Sequence, residues 1–292
     1  MSRENINVYT DRGIALSGVL FKSGIADTVL IAITGIHGNF YSNPFYYNFG
    51  ETLNNEGFDF IYAITNDAFS KMKTINIKTG KEEIIGSYNE RFEWTNDDIR
   101  SYINKAKELG YKHIYLAGHS LGANKVIHYL SETNDKDVEH FLLLSPANLK
   151  YMMSNVTNED KKVIDDMVNS GNGNKMLPFA FMGWVLCIAY TAYDWAIDNI
   201  LDNVHTDENC DWSQVARITH SGALLIGTYD TFTDGEPKKY LENINNHFKC
   251  PNNNKLIFIE NTGHTYQRKE QETADKILEL VKCWRKQNEK NI

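Results

Sequence analysis

The chain has 292 residues, 30 basic against 38 acidic side chains, a formal net charge of −8, and 42% hydrophobic and 23% charged residues. This balance disfavours nucleic acid and anionic membranes as partners and mildly favours neutral or cationic small molecules. The length suits one large α/β domain or two small ones, with enough chain to bury a substantial core.

Residues 1–7 hold no apolar h-region, so no secretory leader is expected. The longest apolar run, 178–190, is too short to span a bilayer. Cys187, Cys210, Cys250 and Cys283 show no paired spacing and read as free thiols, which makes the cytoplasm the expected location.

Residues 7–9 and 16–21 alternate around Asp11-Arg12-Gly13 and predict an opening hairpin. The β-branched apolar run 28–33 suits a strand covered on both faces, as in a parallel sheet. It ends at Thr34-Gly35-Ile36-His37-Gly38-Asn39. A helix is predicted from Pro44, with Phe45, Phe49 and Leu53 on one side and Gly57 at its end. Residues 58–64 read as the next strand and 70–91 as a polar loop or small hairpin. Thr95-Asn96-Asp97-Asp98 has the spacing of a capping box for a helix with the stripe Ile99, Tyr102, Ile103 and Ala106. Residues 112–117 are apolar and β-rich, whereas 123–130 read as helix. Residues 140–145 form a further strand.

From 147 to about 217 the strand signals vanish. A helix is expected from Thr157, a break at 170–174, then an aromatic stretch with Phe179, Phe181, Trp184, Tyr190, Tyr193 and Trp195. Strands resume at 222–227 and 255–259, with a helix near 237–248 between them. The last helix carries Ala274, Ile277, Leu278, Val281 and Trp284 at helical spacing. The alternation predicts an α/β fold: a mostly parallel central sheet with helices on both faces. We expect a core of 1–146 and 218–292 and an inserted helical cap over 147–217.

Between the strand at 112–117 and the helix at 123–130 stands Gly118-His119-Ser120-Leu121-Gly122. Strand, G-x-S-x-G and helix together resemble the nucleophile elbow of the α/β-hydrolase family. The alternative is a Gly-rich turn that only tightens packing. A serine hydroxyl needs a base, and the base needs an orienting group. In a parallel sheet these belong on loops at the carboxyl ends of strands. His264, in Gly263-His264 after the last strand, resembles the family's histidine loop. The other histidines lie in elements, at the wrong end of the sheet (His220), or beside the elbow in a structural role (His119). Asp230, in Gly227-Thr228-Tyr229-Asp230, resembles the acid loop, with Asp234 and Glu260 as rivals and a plain turn residue as the bland reading.

For the oxyanion hole, the resemblance implies the Leu121 amide and the Asn39 amide of a His-Gly loop. His37, Gly38, Phe40 and Trp184 are candidate substrate contacts, with packing or loop bracing the alternative for the His37 side chain. The run Met182-Gly183-Trp184-Val185-Leu186 either lines an apolar pocket or packs the cap onto the core. A narrower resemblance, to siderophore-type ester hydrolases, rests on chain length, the helix after Thr95, the elbow placement and Met167-Val168-Asn169-Ser170-Gly171. Leu121 departs from that pattern.

The family implies a serine esterase acting through an acyl-serine intermediate on a small or medium-sized ester. It implies no metal and no organic cofactor, and the sequence holds no H-E-x-x-H, C-x-x-C or Walker motif. A thioesterase or acyltransferase of specialised metabolism is the alternative. A peptidase or a catalytically retired binding module is expected less. Monomer and homodimer both stay open.

Overall fold

The computed structural model describes residues 2–290. An eight-stranded sheet is built from β1 (Ser2–Tyr9), β2 (Ala15–Lys22), β3 (Thr28–Ile33), β4 (Asp59–Ala63), β7 (His113–His119), β8 (Val138–Leu144), β9 (Ser221–Gly227) and β10 (Lys255–Ile259). A hairpin of β5 (Met72–Ile75) and β6 (Glu82–Ile85) stands apart. The sheet order is β1-β2-β4-β3-β7-β8-β9-β10. β2 runs against both its neighbours, and every pairing from β4 to β10 is parallel.

The helices are α1 (Phe45–Asn55), α2 (Thr95–Glu108), α3 (Leu121–Thr133), α4 (Leu149–Met152), α5 (Asn158–Asn169), α6 (Ala189–Ala196), α7 (Ser213–Arg217), α8 (Pro237–Asn246) and α9 (Glu270–Lys290). All six residues of β3 are buried, as its unbroken apolar run requires. Val29, Ile31 and Ile33 join Ile99, Tyr102, Val126 and Leu241 on one face of the sheet. Leu30 and Ala32 join Phe45, Phe49, Ile277 and Trp284 on the other. Two helical layers therefore enclose the sheet, and the predicted α/β architecture is observed.

One local expectation is corrected. Thr95 is not an N-cap; it lies inside α2, its hydroxyl is buried without a partner, and the capping position falls on Trp94. Asp98 is drawn away by stronger partners: it accepts from Arg12 Nη2 at 2.5 Å and from the Asn66 amide at 3.1 Å. A charge-assisted pair outcompetes a neutral cap. A true capping box opens α5, where Thr157 and Asp160 satisfy each other's amides.

Between β8 and β9 the chain makes α4 to α7 and no strand among the described residues. This insertion has its own apolar cluster, including Leu149, Ile164, Phe181, Val185 and Trp195, and that cluster closes on Leu121. It is also stitched to the core. Asn124 of α3 binds the Ala147 backbone in both directions at 3.0 Å and donates to the Leu201 carbonyl at 3.1 Å. Asp194 of α6 accepts from Arg91 Nε at 2.8 Å and from the Phe92 amide at 2.9 Å. Ile188 donates its amide to the Tyr88 carbonyl at 2.8 Å, and Thr191 its hydroxyl to the Glu90 carbonyl at 2.9 Å.

Where β7 turns into α3, backbone meets backbone. A Cβ on Gly118 would fall 2.1 Å from the Gly122 carbonyl oxygen, and one on Gly122 would fall 2.4 Å from the Ile33 carbonyl oxygen. No rotamer relieves such a clash. Gly118→Ala and Gly122→Ala are therefore each expected to cost about 3 kcal/mol or more of unfolding free energy. Gly24, on open surface at φ 89°, is expected to lose only about 1 kcal/mol on the same change. Urea denaturation followed by circular dichroism measures all three; equal losses at Gly118 and Gly24 would refute the close-approach account.

Candidate active site

Ser120 sits at the turn with φ 56° and ψ −128°, a backbone conformation that costs on the order of 1–3 kcal/mol and persists only where its surroundings impose it. The surroundings are the glycines just described and the Ser120 amide, which donates to the Leu144 carbonyl at 3.0 Å. The side chain is partly exposed at the carboxyl end of β7.

The loops after β9 and β10 meet beside it. Gly227 lets them touch: a Cβ there would lie 2.5 Å from the carbonyl oxygens of Thr262 and Gly263. His264 Nδ1 lies 2.9 Å from Asp230 Oδ2. A carboxylate only accepts, so the proton belongs on Nδ1 and the Nε2 lone pair is free. Nε2 is buried and has no hydrogen-bond partner among the described residues. Phe232 lies edge-on to the imidazole at 4.5 Å.

Asp230 is buried. Burial works against its charge, but the His264 N–H, the Phe232 amide and the Ser145 hydroxyl outweigh it and hold the carboxyl below the usual range. Ser145 in turn accepts from the Tyr266 hydroxyl at 3.0 Å. The two rival acids stand in the open: Asp234 is exposed in a left-handed turn, and Glu260 is an exposed partner of Lys238.

The expected oxyanion loop is rearranged. The Asn39 amide donates to Ser42 Oγ at 2.9 Å, and its side chain ties down the carbonyls of His37 and Ala68. The chain that lies against the elbow is Gly35, where a Cβ would fall 2.9 Å from Ser120 Cβ and 3.3 Å from the Leu121 nitrogen. The amides of Gly35, Ile36 and Leu121 donate to nothing among the described residues. The sequence shows this glycine at Thr34-Gly35, just past the β3 run and nearer the strand end than His37-Gly38.

Of the four candidate substrate contacts, the structure brings two together. His37 and Trp184 meet edge-on with ring centroids 5.3 Å apart, and Trp184 is 48% exposed. His37 Nε2 is also 2.5 Å from Ser87 Oγ, so the ring braces the loop. Burial holds this imidazole below its ordinary pKa, against the opposing pull of Asp67. Gly38 is wedged where a Cβ would touch the Gly35 oxygen and Thr34 Cβ at 2.8 Å. Phe40 packs edge-on against Tyr62 at 5.3 Å. Both serve the packing of the loop.

Sequence reasoning missed an ion cluster beneath this loop. Lys125, one turn into α3 and 1% exposed, lies 3.0 Å from Asp67 Oδ1 and 2.5 Å from Glu90 Oε1. The Asp67 carbonyl receives the His37 amide at 2.9 Å, so the cluster supports the loop directly. Burial favours the neutral amine, but Asp67 and Glu90 reverse that and hold Lys125 protonated well above the usual lysine range. Burial, reinforced by Asp67, pushes the Glu90 carboxyl up to about 8 against the pull of Lys125.

The description of a family, lipid-droplet associated hydrolase, fits residues 28–207 of the chain. Among solved structures, Est1E from Butyrivibrio proteoclasticus is similar at TM-score 0.63 and 18% identity, over 96% of this chain and 98% of that one. DcsB, solved with its substrate analogue, is similar at TM-score 0.69 and 15% identity, over 96% and 98%. The α/β hydrolase GrgF from Penicillium sp. sh18 is similar at TM-score 0.67 and 15% identity, over 97% and 98%. At these identities the likeness shows an α/β-hydrolase fold. None of the curated proteins is similar to the chain. Among the described residues no group of side chains is arranged to hold a metal ion, and no helix is long and apolar enough to cross a membrane.

A carboxyl whose folded-state pKa lies above its unfolded value takes up a proton on folding between the two. For Glu90 that window runs from 4.5 to about 8, and its contribution to stability falls as pH rises through it. Glu90→Gln removes the titration and keeps an acceptor for Lys125. The variant is expected to gain stability relative to wild type as pH rises from about 5 to about 8, measured by urea unfolding at a series of pH values. Parallel pH profiles for the two proteins would contradict this assignment.

Proposed function

The chain belongs to the lipid-droplet associated hydrolase family, and from that premise we propose that it is a serine hydrolase cleaving a carboxylic ester of a small or medium-sized molecule. Ser120 is the nucleophile, His264 the base and Asp230 the orienting acid. One observation carries the reading: the 2.9 Å contact from His264 Nδ1 to Asp230 Oδ2, which leaves Nε2 unprotonated and unpartnered on a loop beside the elbow.

Ser120 Oγ attacks the ester carbonyl carbon while His264 Nε2 takes its proton. The carbonyl oxygen becomes an oxyanion held by the Leu121 amide at the start of α3 and by an amide of the Gly35–Ile36 segment, in place of Asn39. The tetrahedral intermediate collapses, the C–O bond to the alcohol breaks, and His264 returns the proton to the departing oxygen. Water, deprotonated by the same nitrogen, then hydrolyses the acyl-serine. Asp230 stabilises the imidazolium at each stage and stays ionised, which its depressed pKa favours.

In this reading residues 147–217 form a cap on a core of 1–146 and 218–292. The contact of Trp184 with His37 supports a cap that borders the site. The four cysteines are unpaired, which supports a reducing, cytoplasmic setting.

The reading is tested with p-nitrophenyl esters of short and long acyl chains, an acyl thioester and a macrolactone. Ser120→Ala is expected to fall to background on every substrate and to escape labelling by a fluorophosphonate probe. Asp230→Asn is expected to lose about 10⁴-fold in kcat through the wrong imidazole tautomer, while Asp234→Asn stays within about twofold. Turnover by Ser120→Ala at the wild-type rate would overturn the nucleophile, and a strong preference for the thioester would shift the substrate class.

A further inference from the structure

His119, the residue before Ser120, is used by nothing in the mechanism above, yet it is 2% exposed and carries a polar ring. Its Nε2 lies 2.8 Å from the backbone carbonyl oxygen of His264. A carbonyl only accepts, so the proton sits on Nε2. Its Nδ1 is buried and has no partner among the described residues. An imidazolium here would present a second N–H with no acceptor, so the ring is neutral with one defined tautomer.

The cage around the ring is aromatic. Phe45 lies 4.9 Å away, Tyr266 5.9 Å and Tyr46 6.3 Å, while the ring of His264 itself is tilted over it at 5.0 Å. Burial in this cage, with the neighbouring His264 adding to it, pushes His119 down to about 3. The hydrogen bond spans the chain from residue 119 to residue 264 and ends on the backbone of the proposed base.

We propose that His119 is a positioning residue: by donating Nε2–H to the His264 carbonyl it sets how far the base stands from the serine bonded to His119 itself. The proposal rests on the triad reading above. Ser120 and His264 lie on separate loops, after β7 and after β10. The other ties of the His264 loop run to the β8 and β9 ends: the Tyr229 amide donates to the Thr262 carbonyl at 2.8 Å, the Asn261 amide to Thr228 Oγ1 at 3.1 Å, Tyr266 to Ser145 at 3.0 Å, and the imidazole to Asp230 at 2.9 Å. His119 is the direct hydrogen-bonded link from the elbow to the base. Proton transfer from Ser120 depends steeply on that separation, whereas substrate binding does not, so the loss of the link should appear in kcat and leave KM in place.

His119→Leu fills the cage without a donor, and His119→Gln places an amide N–H near the position of Nε2. The leucine variant is expected to lose tenfold or more in kcat on the best p-nitrophenyl ester, with KM within twofold, and the glutamine variant to recover most of that loss. Histidine labelled with ¹⁵N in the wild-type protein supplies a measurement that needs no variant: residue 119 should show the neutral Nε2–H tautomer. Wild-type kcat in His119→Leu, equal impairment of both variants, or an Nδ1–H tautomer would overturn the proposal. The serine variant separates the two readings. An inactive Ser120→Ala beside a fully active His119→Leu refutes only the link, whereas an active Ser120→Ala refutes the triad.

Discussion

The site depends on a contact that contains no side chains. The backbone of Gly118 is pressed on the carbonyl of Gly122, and Gly122 on that of Ile33. Because β3, β7 and α3 can come this close, the turn between strand and helix is too tight for an ordinary backbone, and Ser120 is held at positive φ and partly exposed. The same closeness sets Gly35 against Ser120 and the Leu121 nitrogen. Gly227 repeats the device two strands along, where it lets the loops of Asp230 and His264 meet. Close packing of backbone, which only glycine permits, is how separate strand ends are gathered into one site.

The second organiser is α3. Its successive residues reach in different directions: Leu121 into the apolar cluster of the insertion, Asn124 to both Ala147 and Leu201, and Lys125 to Asp67 and Glu90. A buried lysine between two carboxylates is not by itself a strong stabiliser, since desolvation offsets much of its attraction. What it supplies is geometry. Each of its partners also carries a backbone contact to something beyond, Asp67 to His37 and Glu90 to Thr191.

Much of this was legible in the sequence, because it follows from local rules. The apolar run of β3, the stripe on α2 and the glycines of the elbow each announce one conformation regardless of what surrounds them. His264 and Asp230 were singled out by their place after predicted strands, and the structure sets them 2.9 Å apart. What was illegible depends on partners distant in the chain. Asp98 looked like half of a capping box until Arg12, 86 residues away, claimed it. Asn39 looked like a free amide until Ser42 engaged it. Lys125 carried no signal of its own, since neither Asp67 nor Glu90 is marked as its partner by spacing. His119 read as structural, and the structure shows the particular carbonyl its ring holds.

The stitching of the insertion has an architectural consequence. Asn124 grips it at Ala147 and Leu201, and the segment around residues 88–92 grips it through Ile188, Thr191 and Asp194. Both grips lead back to the helix that begins beside Ser120. A segment tied in this way to α3 cannot swing clear without loosening that helix. Change in that segment is then cheapest at its exposed rim, where Trp184 meets His37, with the frame left standing.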